Sequence, residues 1–189
     1  MISFEEEVER TVSFLKAGKT ILYPTDTIWG VGCDATNSKA CDKVYAAKKR
    51  PKNKSLIILI DSVDRLKDYV VDVPAIAYDL IKAAKKPLSI VYAEGKNLAR
   101  NVSADKSVCI RVVDHDFCKE VIRRLGKPIT STSANLSGQP SALTYNDITE
   151  DMKQSVDYTV QLYHDVMARP KSSTIIRLNK DNTFEILRQ

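Results

Sequence analysis

The sequence LYPTDTIWGVGCDATNSKACDKVYAAKKRPKNKSLIILI, residues 22–60, joins two apolar segments of strand length through a polar turn and a helix. We predict strands over 20–23 and 55–60, because both segments are short, apolar and bounded by polar residues. Between them Ser38 opens a helix, and Pro51 stops it. Strand, loop, helix and strand in this order indicate an α/β fold.

The rest of the chain continues this alternation of helices and strands. A capping box formed by Ser3 and Glu6 opens an amphipathic first helix, which Gly18 ends. Ile129 is predicted to end a short strand that leads into the polar loop STSANLSGQPSA. Further helices are predicted over 74–85 and 117–125, and further strands over 88–92, 108–113, 158–162, 174–178 and 184–187. We therefore predict one α/β domain over residues 1–189 with a mixed sheet.

The composition excludes several classes of protein. The 189 residues are 43% hydrophobic, enough for one filled core, and 29 basic against 24 acidic residues give a net charge of +5, which suits anionic ligands or nucleic acid. Four cysteines without C-x-x-C spacing and two histidines argue against a zinc site or a disulfide scaffold. Because no stretch approaches the length of an apolar membrane span, we expect a soluble cytoplasmic protein with no membrane partner.

Two nucleotide-binding motifs fail on their context. Gly30, Gly32 and Ala35 match G-x-G-x-x-A in letters, but residues 24–29 separate them from the preceding strand and no helix starts at Gly32. Gly126-Lys127 lacks the glycine that a P-loop needs five residues earlier. The glycines of residues 30–32 are predicted to make tight turns.

Three polar segments allow either a structural or a functional interpretation. The run Lys48-Lys49-Arg50 at a helix end is either a solvated face or a phosphate clamp. Hydroxyls at 131–133 with Asn135 follow a strand, where they form either an ordinary turn or a ligand site. Residues 25–27, Thr-Asp-Thr, follow another strand and admit the same two interpretations.

Arg111 lies within an apolar strand, where a guanidinium without an anionic partner is costly. The structural partner would be Asp114 or Asp116, and the functional partner would be a ligand carboxylate. His115 and His164 belong to no Ser/His/Asp or Cys/His arrangement, so neither is predicted to act in catalysis.

Together these segments resemble the YrdC-like family. The resemblance rests on YPTDTIWGVGCDA at 23–35, K-x-R at 48–50 before Pro51, IRVVDH at 110–115, STSANLSG at 131–138 and SSTIIRL at 172–178, in the family's order. It implies a twisted open mixed sheet with flanking helices. It also implies synthesis of threonylcarbamoyl-AMP and pyrophosphate from L-threonine, bicarbonate and ATP, for the threonylcarbamoyladenosine modification of tRNA.

The resemblance also assigns residues. It implies that Lys48 and Arg50 are catalytic through charge neutralisation. Threonine-binding positions would be Thr25, Arg111, Ser131 and Ser173. ATP-binding positions would be Lys48, Lys52, Ser107, Ser133, Asn135, Ser141 and Arg188. No protein metal site is implied, since the phosphates would hold Mg²⁺, and the product would pass to the downstream proteins that transfer threonylcarbamoyl to tRNA.

Two alternatives remain open. The chain could be a module that binds double-stranded RNA or tRNA through its basic surface without chemistry. It could also be a paralogue of the same fold that acts on another carbamoyl adenylate. The segment Lys85-Lys86-Pro87-Leu88-Ser89 supports the paralogue, because it stands where the family usually has Pro-Gly-Pro and a threonine. Val113 and the end of the chain at Arg188-Gln189 also depart from the family pattern.

Overall fold

A computed structural model describes residues 2–166 and 172–189. The strands are Ile21–Tyr23 (β1), Gly30–Gly32 (β2), Ile57–Ile60 (β3), Leu88–Tyr92 (β4), Val108–Val112 (β5), Ile129–Ser133 (β6), Tyr158–Thr159 (β7), Thr174–Leu178 (β8) and Phe184–Arg188 (β9). The helices are Phe4–Lys16 (α1), Ser38–Ala47 (α2), Leu66–Tyr69 (α3), Ala75–Ala83 (α4), Asp116–Leu125 (α5) and Glu150–Gln154 (α6). Short 3₁₀ turns occur at Val63–Arg65 and Tyr145–Asp147.

The strands form one open sheet in the order β7-β1-β2-β6-β3-β5-β4-β8-β9. Parallel pairing joins β7 to β1, β3 to β5 and β4 to β8, and the other neighbours are antiparallel. The predicted mixed α/β sheet with flanking helices is therefore confirmed. Among the described residues, no helix is long and apolar enough to cross a membrane.

Helices cover the sheet through their apolar faces. The predicted capping box is present, since the Ser3 hydroxyl accepts from the Glu6 N–H and the Glu6 carboxylate accepts from the Ser3 N–H. Helix α1 packs against α5, where Phe4 meets Phe117 edge to face. Buried side chains of α5 also reach β3, so these two helices close the core on that side of the sheet.

The prediction of a loop with tight turns around Gly30 and Gly32 is wrong, because these residues form β2. A Cβ on Gly32 would lie 2.0 Å from the Thr130 carbonyl oxygen of β6, and one on Gly30 would lie 3.1 Å from Ser131 Oγ. Neither glycine has a positive φ. The glycines therefore allow close approach of two strands, and the sequence gives no alternating pattern that would announce so short a strand.

The prediction that Ile129 ends a strand is also wrong. Ile129 begins β6, and the hydroxyl residues 130–133 continue it between β2 and β3. These hydroxyls are tolerated because the strand gives them partners: Thr130 Oγ1 accepts from the Cys33 N–H at 3.0 Å. The polar loop begins only at Ala134.

Candidate active site

A cavity of about 890 Å³ opens beside the central strands. Residues of β2 to β6, β8 and β9 line it, together with Arg50, residues 53–55, 104 and 105, and Ser107. Its walls include the predicted site residues Arg50, Ser107, Arg111, Ser131, Ser133, Ser141, Ser173 and Arg188. The other predicted residues, Thr25, Lys48, Lys52 and Asn135, are absent from the lining residues. The chain thus brings most of the predicted positions to one cavity.

Arg111 lies on the cavity floor within β5. Its partner is Asp26 of the β1–β2 turn, with Arg111 Nη2 3.1 Å from Asp26 Oδ1 and both side chains only 4% exposed. The predicted structural partners Asp114 and Asp116 are wrong: the Asp114 carboxylate is 90% exposed and pairs with Lys119, and Asp116 opens α5. The strand carries Arg111 inward, whereas both aspartates follow the strand and turn outward.

Thr27, which the sequence interpretation left unassigned, lines the cavity beside Arg111. Arg111 Nη2 donates to Thr27 Oγ1 at 3.4 Å. Thr25 lies behind Thr27: its hydroxyl donates to the Ile28 carbonyl at 2.7 Å and accepts from the Thr27 N–H at 3.1 Å. Thr25 therefore fixes the turn that presents Thr27. The only signal for Thr27 in the sequence was that this residue is one of the hydroxyls that follow a strand end.

Lys48 is the C-cap of α2 and is buried, so the interpretation of this residue as part of a solvated face is wrong. Its side chain is 1% exposed, and its ammonium donates to the carbonyls of Ser133 and Asn135. In return, the Ser137 N–H donates to the Lys48 carbonyl at 3.1 Å. Burial, with a smaller effect from the charge of Arg50, lowers the pKa of Lys48 from 10.5 to about 8. Lys48 thus ties the end of α2 to the segment that follows β6.

Arg50 and Lys52 lie on different surfaces. The Arg50 guanidinium lines the cavity and donates to the carbonyls of Lys54 at 3.0 Å and Ser55 at 2.8 Å. Burial lowers its pKa. Lys52 instead pairs with Asp42 at 2.7 Å, and the Lys52 side chain is 70% exposed. Only Arg50 of this pair presents charge to the cavity.

Asn135 shapes the loop after β6. Its amide nitrogen donates to the carbonyls of Leu136 at 2.9 Å and Gln139 at 2.7 Å. Its Oδ1 is buried and accepts no hydrogen bond from any described residue. Ser141, a few residues further on, does line the cavity. The loop therefore offers one unused acceptor close to the predicted ATP positions.

The far wall of the cavity is formed by β8 and β9. Arg188 donates to the Ser173 carbonyl from Nε at 3.2 Å and from Nη2 at 3.0 Å. The Ser173 hydroxyl lies 2.7 Å from the Ser89 hydroxyl of β4. A register shift between Ile175 and Ile176 places Arg188 opposite Ile175, which also lines the cavity. This irregularity aims Arg188 into the site.

Positive charge dominates the cavity walls. The lining cations are Arg50, Lys54, Arg111, Arg177 and Arg188, of which Lys54 and Arg177 were not predicted. Asp105 is the one acidic residue among the described lining residues. Its carboxylate accepts hydrogen bonds from the Ser107 N–H at 2.8 Å and the Ser107 hydroxyl at 2.5 Å. With Asp26 already paired to Arg111, the cavity has an excess of cations. Such a wall suits a polyanionic ligand.

Comparison with known proteins shows which family this chain resembles. The Sua5/YciO/YrdC family model, described as telomere recombination, matches residues 13–189. A Vibrio campbellii protein named threonylcarbamoyl-AMP synthase is 31% identical over 185 residues, which are 96% of this chain and 97% of that protein. A Photobacterium profundum protein of the same name is 35% identical over 149 residues, or 76% of this chain and 80% of that protein.

Solved structures agree with the overall fold. P. abyssi Sua5 complexed with L-threonine matches with a TM-score of 0.87 at 26% identity. The match covers 100% of this chain but 55% of that one, so this chain spans about half the length of that Sua5 protein. E. coli YciO matches in fold with a TM-score of 0.83 at 22% identity, over 96% of this chain and 88% of that one. The resemblance drawn from the sequence is confirmed, and the chain belongs to the Sua5/YciO/YrdC family.

Proposed function

We propose that this chain is a threonylcarbamoyl-AMP synthase, a nucleotidyltransferase that joins L-threonine, bicarbonate and ATP. Relatives that bear this name align over most of both chains. The proposal makes the chain a cytoplasmic enzyme, whose product passes to the proteins that complete threonylcarbamoyladenosine on tRNA.

The observation that carries the proposal is one cavity lined both by hydroxyls and by an excess of cations. Arg111 donates to the Thr27 hydroxyl and lines the same cavity as the Ser131 hydroxyl. Arg111 Nε is buried and donates to no described residue, so it can donate to the carboxylate of threonine. In this proposal Thr25 supports the threonine pocket through Thr27, and Ser173 completes the pocket.

The cations of Arg50 and Arg188, which line the same cavity, would face the triphosphate. Ser107, Ser133 and Ser141 line the same cavity; Ser133 and Ser141 would offer hydroxyls to the nucleotide, and Ser107, whose hydroxyl donates to Asp105, would accept a hydrogen bond from it. Lys48, whose ammonium is held by two carbonyls, would act by fixing the Ser133–Asn135 segment against the nucleotide. Lys52 would then contribute long-range charge at most, because it lies on the surface with Asp42.

The reaction needs positioning more than a general base. The threonine amine attacks bicarbonate and, with loss of water, gives a carbamate. A carbamate oxygen then attacks the α-phosphorus of ATP, the bond from that phosphorus to the bridging oxygen of the β-phosphate breaks, and pyrophosphate leaves. Both reactants are anions, so Arg50 and Arg188 would lower the barrier by neutralising charge.

Mg²⁺ would accompany the nucleotide in this proposal. Among the described residues, no group of three His, Cys, Asp or Glu side chains is placed to hold a metal ion, and the Asp105 carboxylate is bonded to Ser107. The donors present therefore fit a metal held mainly by phosphate oxygens and water. When bound, it would neutralise the leaving pyrophosphate.

Pyrophosphate release tests the proposal. Purified chain is incubated with threonine, bicarbonate, ATP and Mg²⁺, and with each substrate omitted in turn. We expect release only from the complete mixture. Release without threonine, or none at all, would contradict the proposal, and salt-sensitive binding of double-stranded RNA by such an inactive chain would favour the RNA-binding alternative. Release with another amino acid in preference to threonine would favour the paralogue.

A further inference from the structure

The buried ion pair between Arg111 and Asp26 has features that a purely structural pair does not need. Both side chains are 4% exposed, so both charges have lost most of their water. Such a pair contributes little net stability, because desolvation offsets the attraction between the charges. The pair also lies at the cavity, since Arg111 lines it. Its position suggests a role in ligand binding.

The Nη2 atom of the Arg111 guanidinium makes close polar contacts, whereas Nε makes none with the described residues. Nη2 approaches Asp26 Oδ1 at 3.1 Å and donates to Thr27 Oγ1 at 3.4 Å, while Nε has no acceptor among the described residues. The approach to Asp26 falls short of hydrogen-bond geometry, since Oδ1 accepts no hydrogen bond within the described part of the chain. Charge attraction therefore fixes Nη2 and leaves Nε free to donate to a ligand.

Asp26 is itself held in place. Its Oδ2 accepts from the Asp114 N–H at 3.2 Å, and the hydroxyl of Thr25 fixes the turn on which Asp26 stands. A carboxylate anchored from two sides can define the position of a long, otherwise mobile side chain.

We propose that Asp26 is a positioning residue, which holds the Arg111 guanidinium in the orientation that receives the carboxylate of threonine. This inference rests on the proposed function. Asp26 contacts no substrate itself in this account. Without its charge Arg111 keeps its place in β5 but loses the attraction that aligns its head group, so threonine binding weakens while nucleotide binding does not.

The variant Asp26→Asn tests this inference, because it removes the charge and keeps the shape. Asp34→Asn is the matched control: Asp34 is also a buried aspartate, 6% exposed and paired with Lys127 at 3.1 Å, but its partner Lys127, unlike Arg111, does not line the cavity. We expect Asp26→Asn to raise the KM for threonine by about tenfold to a hundredfold and to change the KM for ATP by less than about twofold. Asp34→Asn should change neither KM. Thermal melting of both variants measures how much stability each has lost, so that an effect on KM can be separated from an effect on folding.

A second variant keeps the test decisive if Asp26→Asn does not fold. Asp26→Glu retains the charge but displaces it by one methylene, and the KM for threonine should still rise. In an Arg111→Lys background, Asp26→Asn should add less than about twofold, because the group that it positions is gone.

The outcomes separate the two claims. Suppose that the wild type releases pyrophosphate in response to threonine, and that the folded Asp26 variants have the same KM for threonine as the wild type. Asp26 then has no positioning role. Equal rises in the KM values for threonine and ATP would also overturn the inference, because they indicate general distortion. If the wild type shows no threonine-dependent release, the proposed function itself fails.

Discussion

At the scale of single residues, two glycines of β2 have different tasks although one residue separates them. A Cβ on Gly32 would meet the backbone oxygen of Thr130 at 2.0 Å, so the strands would have to separate. The atom nearest to a Cβ on Gly30 would be the Ser131 hydroxyl oxygen, at 3.1 Å, and that side chain can shift. A side chain at Gly32 would therefore disturb the fold, whereas a side chain at Gly30 would disturb the cavity.

Substitution of each glycine by alanine distinguishes the two roles. Gly32→Ala should lower the free energy of unfolding by at least about 2 kcal/mol or prevent folding, because β2 can no longer approach β6. Gly30→Ala should remain within about 1 kcal/mol of wild type but raise the KM for threonine, because Ser131 is displaced. Urea denaturation and steady-state kinetics measure these effects. Equal stability of the two variants would contradict this account.

Lys48 predicts a pH dependence of stability. Its pKa is about 8 in the folded chain against an ordinary 10.5, so between these values the unfolded chain binds more protons. Stability contributed by this group is therefore lowest below about pH 8 and rises as the pH increases toward 10.5, by at most about 1.4 kcal/mol per pH unit.

The measurement compares wild type with Lys48→Met by denaturant unfolding at several pH values from about 7 to about 10. The difference in unfolding free energy should shift in favour of wild type as the pH rises. Lys49→Met, at the exposed neighbouring position, is the matched control for removing a lysine from this turn. A flat difference for Lys48→Met would mean that the two carbonyl contacts keep the pKa of this ammonium at its ordinary value.

The need of Arg111 for an anionic partner was predictable, because its strand is apolar and the cost of an unpaired charge is general. The identity of the partner was not predictable. Asp26 is distant in the chain and reaches Arg111 only when the turn after β1 folds over the sheet. Burial of Lys48 escaped prediction for the same reason, since its carbonyl partners lie after β6.

At the scale of elements, the end of α2 carries backbone strain in a Schellman motif. The Arg50 N–H donates to the Tyr45 carbonyl at 2.9 Å and the Lys49 N–H to the Ala46 carbonyl at 3.0 Å. Lys49 has a φ of 49°, in the left-handed region that glycine normally occupies. This turn reverses the chain directly between Lys48 and Arg50, so it sends one side chain inward and the other to the cavity.

Lys49→Gly should therefore stabilise the chain, by up to about 1 kcal/mol in urea denaturation, because glycine relieves the strain. Lys49→Ala is the matched control, which removes the charge and keeps the strained Cβ, and it should give no such gain. A gain shared by both variants would mean that the charge of Lys49, rather than its backbone conformation, is the source of the effect.

Local signals explain which elements were predictable. The capping box of α1 and the glycine after α5 were visible in the sequence, since both motifs form within a few residues, and Gly126 adopts a φ of 73° as a left-handed cap. Strands β2 and β6 were missed or misplaced because their residues become strands only by pairing with distant partners. Hydroxyl-rich and glycine-rich strands carry no alternating pattern.

At the scale of the whole molecule, the cavity exists because the sheet order interleaves distant parts of the chain. Strands β6 and β5 flank β3, and β8 joins the far side of β4. Most predicted site residues line this cavity. They were predictable because the resemblance to a family assigned them by their positions in the sequence. Thr27, Lys54 and Arg177 were missed, since no local motif distinguishes them from turn or surface residues.

The most direct test of the central claim follows a carbon isotope. The chain is incubated with threonine, ATP, Mg²⁺ and isotopically labelled bicarbonate, and the nucleotides are analysed by mass spectrometry. The account predicts an adenylate that carries both threonine and the labelled carbon, formed in equal amount to pyrophosphate. Pyrophosphate accompanied only by unlabelled AMP, or labelled product that forms without threonine, would contradict it.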